Sequence, residues 1–255
     1  MAAAYRLDPR EAGLLAVLLG LAATSWIFMS AQMNGMDMGR WTDPGPLGFF
    51  ATTWVVMLAA MMFPSVAPMV VAYARIHRRR RELGRQAPPA CTAVFVAGYL
   101  LTWTVFGILA YSLYAAVATL VPGLFASDQG GRYLAAGVIL VAAAYQLTPA
   151  KNICLMKCRT PMDFVLRRMR YGYGGALRMG MEHGAWCVGC CWALMVALFA
   201  LGVMSIGWMA VVGAFIAVEK MLPWKQLANR AVAAALAAIA LSIALAPWAM
   251  PGMVA

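Results

Sequence analysis

Apolar runs of roughly 20 residues recur along the whole chain, separated by short segments that carry most of its arginine and lysine. A run of that length, wound as a helix, crosses a hydrocarbon core of ~30 Å. The runs are continuous rather than alternating, so helices are expected and a transmembrane barrel is not. Composition excludes a soluble alternative. The chain is 64% hydrophobic and 11% charged, whereas a soluble domain carries about 25% charged residues and could not cover this much apolar surface. The expected fold is an all-α, polytopic membrane helix bundle.

Seven spans are expected, at about Gly13–Met33, Gly48–Tyr73, Cys91–Leu120, Arg132–Leu147, Ala176–Val203, Trp208–Met221 and Ala228–Trp248. The fourth and sixth are short, so six spans plus one re-entrant segment is the competing arrangement. The first is long for a signal-peptide core and is followed by no clear cleavage site, so it is kept as a helix. Residues 1–255 read as a single integral membrane domain, with residues 148–178 as a cytoplasmic loop. Within that loop Met162, Phe164, Val165, Leu166 and Met169 interleave with Arg167, Arg168 and Arg170. That pattern suits a short amphipathic helix at the headgroups, or an ordinary basic loop with a helical turn.

A formal charge of +11 would suggest a nucleic-acid partner in a soluble protein. Here the charge is topological. Of 20 Lys and Arg residues, all but Arg40 and Arg132 fall on one side of a seven-helix weave. The positive-inside rule then places the chain in the inner membrane, with the amino terminus cytoplasmic and the carboxyl terminus periplasmic. The lipid bilayer is the expected partner, and nucleic acid is not.

Six cysteines lie in apolar spans or in the basic, cytoplasmic segments, where a disulfide framework is not expected. Three of them crowd the fifth span, in His183-Gly184-Ala185-Trp186-Cys187-Val188-Gly189-Cys190-Cys191. On a helix His183, Cys187 and either Cys190 or Cys191 share one face, and Met195 continues it. Imidazole with several thiols suits Cu(I) or Zn(II), and thioethers tilt the choice to copper. A buried cysteine is often only a small hydrophobe. Three within five positions, a turn from one of only two histidines, favour a ligand role. Gly180 and Gly184 form a G-x-x-x-G pair that admits another helix closely and offers a route to an oligomer.

Twenty methionines supply further soft donors. Met33, Met36 and Met38 cluster at the outer end of the first span, where thioethers remain metal-competent under oxidising conditions. Met57, Met61 and Met62 lie in the second span. Counted from the span ends, Met57 falls level with Cys187 and Met61 level with His183. Pro64 and Pro68 are expected to loosen or kink that helix. Cys154 and Cys158 form a C-x-x-x-C pair that could share a soft metal if helical. Glu219 reads either as a functional intramembrane acid or as a partner for Lys220.

The pattern Arg178-Met179-Gly180, His183-Gly184, Cys187-Val188-Gly189-Cys190-Cys191-Trp192-Ala193-Leu194-Met195 resembles the signature of an uncharacterised family of integral membrane proteins, found mainly in bacteria and predicted to bind metal. The resemblance extends to Tyr145-Gln146-Leu147-Thr148-Pro149 with Lys151, Cys154 and Cys158, to Met61-Met62-Phe63-Pro64, and to Glu219-Lys220. It implies an inner-membrane protein with a metal ligand.

Soft-metal binding and transport or delivery, across or within the inner membrane, is therefore the leading expectation, with Cu(I) first, zinc second, and a metal chaperone or membrane complex as the expected partner. No ATP-binding motif is present to drive a pump. A thiol–disulfide oxidoreductase using Cys187 and Cys190 is an alternative. A non-catalytic subunit or assembly factor of a membrane complex is another. An enzyme is the less favoured class, and no catalytic residue is assigned.

Overall fold

The computed structural model describes residues 8–33, 44–85, 88–121, 123–124, 128–203, 205–222 and 224–245. Among them helices form nearly everywhere: α1 Pro9–Met33, α2 Leu47–Glu82, α3 Cys91–Leu120, α4 Asp128–Gln146, α5 Pro149–Arg159, α6 Pro161–Arg168, α7 Gly172–Leu201, α8 Ile206–Met221 and α9 Lys225–Leu245. The protein is an all-helical membrane bundle. Among the described residues five helices are long and apolar enough to cross a bilayer, and a sixth span results if the α4–α5 pair, bent by 68°, counts as one. The seven expected spans correspond to α1, α2, α3, α4, α7, α8 and α9. Of these α8, at 16 residues, is short for a full crossing.

The outward faces confirm the solvent. Ile27 and Phe28 on α1, Leu109 and Leu113 on α3, Val141 on α4 and Leu241 on α9 are all exposed. Such apolar surface is stable against lipid and not against water.

Helix α7 is the hub, packed against α3, α4, α5 and α8. Its contact with α3 is built on glycine. A Cβ at Gly180 would overlap the Phe95 carbonyl oxygen, and one at Gly184 would come 2.8 Å from Thr102 Cβ. On the α3 side, a Cβ at Gly98 would run into the Leu177 carbonyl. The G-x-x-x-G pair expected to offer an oligomer contact is thus occupied inside the chain, by α3.

Helix α2 continues through Pro64 and Pro68. Pro64 has no N–H for the carbonyl of Ala60. The indole of Trp26 on α1 donates to that oxygen at 3.1 Å, so the lost backbone bond is replaced by a tie between helices. At the other end of α2, Trp54 donates to the Trp103 carbonyl at 3.0 Å. Phe50 and Trp54 also pack on Phe199 of α7, with centroids 5.9 and 5.7 Å apart.

The stretch expected as a cytoplasmic loop is more ordered than its polarity suggests. Its amphipathic helix exists as α6, with Phe164 and Val165 buried and Leu166 exposed. Ahead of it lies α5, which the sequence did not announce. Thr148 caps α5 by accepting from the Lys151 N–H, and Pro149 occupies its first turn. Lys151 is fully buried, and its Nζ reaches Glu219 of α8 at 2.6 Å and the Gln146 side-chain oxygen. Glu219 is therefore the partner of Lys151, not of Lys220.

Candidate metal centre

Helix α5 lies against α7 because Gly189 leaves room for it. A Cβ there would come 2.8 Å from Cys154 Sγ, and the Tyr145 hydroxyl donates to the Gly189 carbonyl at 2.5 Å. The glycine of Cys187-Val188-Gly189-Cys190 is thus a contact point for the neighbouring helix. One turn along α5 from Cys154, Cys158 faces the α7 thiols.

Three thiols converge as a result: the sulfurs of Cys158, Cys187 and Cys190 all lie within 4.8 Å of one another. Cys158 Sγ is 3.8 Å from Cys190 Sγ. Cys191 Sγ is 3.1 Å from Cys190 Sγ but lies outside the three-thiol group. Cys187, Cys190 and Cys191 are buried and Cys158 is half-buried. All six cysteines are free thiols. With metal–sulfur bonds of about 2.3 Å, two sulfurs across an ion stand about 4.6 Å apart, and three around it about 4.0 Å. The spacing fits a soft ion held by two or three sulfurs.

Polar groups from two further helices face Cys187, and a third helix is reached through one of them. The Tyr99 hydroxyl of α3 lies 3.2 Å from its sulfur, and Lys220 of α8 donates to it at 3.1 Å. Lys220 also donates to the Ser65 hydroxyl of α2 at 3.2 Å, and Ser65 in turn donates to the Met62 carbonyl at 3.0 Å. Sequence reasoning placed none of these three at the site. Lys220 was counted with the topological charges. A signal was available, because Glu219 and Lys220 are adjacent and a helix turns neighbouring residues about 100° apart, so one partner cannot satisfy both.

The other expected ligands are distributed as follows. His183 is buried outside the thiol group, among the rings of Phe95, Tyr99 and Phe164, with centroids 6.2, 5.8 and 5.4 Å away. Its Nδ1 has no hydrogen-bond partner among the described residues. Cys154 abuts Gly189 and is likewise outside the group. Met33, Met57, Met61 and Met62 are all buried, and Met61 packs toward Gly213 of α8. Met36 and Met38 lie outside the described residues. The level match between Met57 and Cys187 is displaced. Ser65, about two turns farther along α2, is the residue that Lys220 links to Cys187. The displacement comes from the span ends: α2 runs on to Glu82 rather than Tyr73 and α7 begins at Gly172 rather than Ala176, so counted from that shared end Cys187 falls near Ser65 and Ala67 rather than Met57.

Fold and site together define a helical membrane protein with a buried thiol cluster suited to a soft metal. The family model described as "PpoB2: Copper chaperone" matches residues 51–243, and the chain belongs to that copper-chaperone family. No curated protein and no solved structure matches it.

Proposed function

We propose that Cys158, Cys187 and Cys190 bind Cu(I) within the membrane and that the protein hands the ion to a partner by exchange of thiolate ligands. The ion keeps its oxidation state throughout, so the exchange needs no electron donor or acceptor. The observation that carries this reading is the convergence of three thiols, from two helices, within 4.8 Å. Thiolates are soft donors that suit Cu(I). A structural Zn(II) site takes four ligands, one more than the group supplies. Membership of a copper-chaperone family supports copper over zinc.

Met33 of α1, with Met57, Met61 and Met62 of α2, lies on the side of the bundle where α2 begins, and Cys158 lies on the side of the basic segments. In this reading thioethers collect the ion toward the periplasm and thiols hold it toward the cytoplasm. The protein then sits in the inner membrane as one integral domain, amino terminus inside. The direction of a passive hand-over would follow the relative copper affinities and loading of donor and acceptor.

Metal content of anaerobically purified protein tests the site. One Cu(I) per chain is expected, falling to background in the Cys158→Ser/Cys187→Ser/Cys190→Ser variant. Equal copper in the two proteins would sink the reading. Copper uptake by cells carrying either form tests movement across the membrane separately from binding.

A further inference from the structure

We infer that Lys220 makes the thiol site selective for a monovalent over a divalent ion. The inference rests on the metal-site reading above and deepens it by naming the charge class of the cargo.

Lys220 is held in place from both sides. The Ser65 hydroxyl commits its proton to the Met62 carbonyl at 3.0 Å, which leaves its lone pairs to accept from Lys220 Nζ at 3.2 Å. The same ammonium donates to Cys187 Sγ at 3.1 Å. Among the described residues no carboxylate pairs with it. The adjacent Glu219 is turned toward α5, where Lys151 holds it at 2.6 Å. The next cation, Arg159, donates to the carbonyls of Glu219 and Leu222 at the end of α8. Lys220 is therefore a fixed positive charge whose polar neighbours are a hydroxyl and a ligand sulfur.

Charge counting gives the consequence. For any given number of thiolates, a Cu(I) complex carries one unit more negative charge than a Zn(II) complex. A fixed cation beside the sulfurs stabilises the more negative complex. With metal–sulfur bonds of about 2.3 Å, the ammonium sits about 5 Å from the ion. At the effective dielectric typical of protein sites, one unit of charge at that distance shifts relative affinity by about 100- to 300-fold. Thiol softness already favours Cu(I). Lys220 adds an electrostatic bias that would extend to any soft monovalent ion, Ag(I) included.

Competition titrations with chromophoric chelators on full-length, detergent-purified protein test this, using Cu(I), Ag(I) and Zn(II) as probes. Lys220→Met is expected to narrow the Cu(I)/Zn(II) and Ag(I)/Zn(II) affinity ratios by about 100- to 300-fold, and Lys220→Arg to preserve most of each. Ser65→Asp provides a second variant that keeps the lysine but gives it a carboxylate partner, and it should narrow the ratios in the same direction. Unchanged ratios in a folded Lys220→Met or Ser65→Asp protein overturn the inference, whatever happens to absolute affinity. Wild-type protein that binds none of the three ions overturns the metal-site reading itself, and the inference with it.

Discussion

Lys151 of α5 and Glu219 of α8 form a 2.6 Å ion pair in which both side chains are almost completely enclosed. The pair joins the segment after the α4–α5 bend to the end of α8. In doing so it holds in place the helix that carries Cys158. Arg159 reinforces the same junction by donating to the Glu219 backbone carbonyl at 3.0 Å, where the last carbonyls of α8 lack partners of their own.

Breaking this pair from one side should be costly, because it strands a buried charge. Lys151→Met or Glu219→Leu alone is expected to destabilise the protein by about 3–5 kcal/mol. The double variant should recover much of the loss. Thermal unfolding in detergent measures the stability of each form. Because α5 carries Cys158, the single variants should also bind copper more weakly than the double one. A double variant destabilised by the sum of the two single losses would show that the two residues act independently.

Close approach of α3 and α7 makes a second, position-specific expectation. Gly180→Ala places a methyl group on the Phe95 carbonyl, and backbone cannot move aside as a side-chain tip can. It should destabilise by about 1–3 kcal/mol, the usual range for overpacking. Gly20→Ala, where nothing lies within 4 Å of the added carbon, should leave thermal stability unchanged. Gly189→Ala falls between these. Its methyl meets the Cys154 sulfur at 2.8 Å, so its main effect should be a reduced copper affinity as α5 is pushed from α7.

The bundle was legible in the sequence because lipid demands long apolar runs, and α1, α2, α3 and α7 supply them. Helix α5 was not, because its polar residues are satisfied inside the protein. Lys151 pairs with Glu219, and Asn152 accepts from the Asn229 side chain of α9 at 2.9 Å. Neither partner is near in sequence. Cys187 and Cys190 could be placed together from their spacing on one helix. The arrival of Cys158 depends on the bend at Thr148-Pro149 and on the space at Gly189. The role of Lys220 depends on which way Glu219 turns. These are tertiary facts, and helical periodicity does not encode them.

Copper should protect a specific subset of thiols. Alkylation of the folded protein in detergent with a small membrane-permeant reagent, copper-loaded or copper-free and read by mass spectrometry, assigns the subset. Cys158, Cys187 and Cys190 should be shielded once Cu(I) is bound and anaerobic conditions are kept. Cys91, at the start of α3 and remote in sequence from the cluster, should react alike with and without copper. Protection of Cys154 in place of Cys158 would move the α5 ligand by one turn.

His183 supplies the sharpest test of where the site ends. Its spacing on α7 suggested a ligand, yet it is packed among Phe95, Tyr99 and Phe164, and the convergent group consists of thiols. Its buried Nδ1 lacks a partner, and an unpaired polar atom in an apolar surround costs free energy that a carbon atom would not. His183→Phe should therefore fold with equal or greater thermal stability, since the cage is already aromatic, and should still bind one Cu(I) per chain. His183→Ala should lower stability by about 2–4 kcal/mol through the cavity it leaves. Loss of copper from a folded His183→Phe protein would make the imidazole a ligand and extend the site one turn down α7.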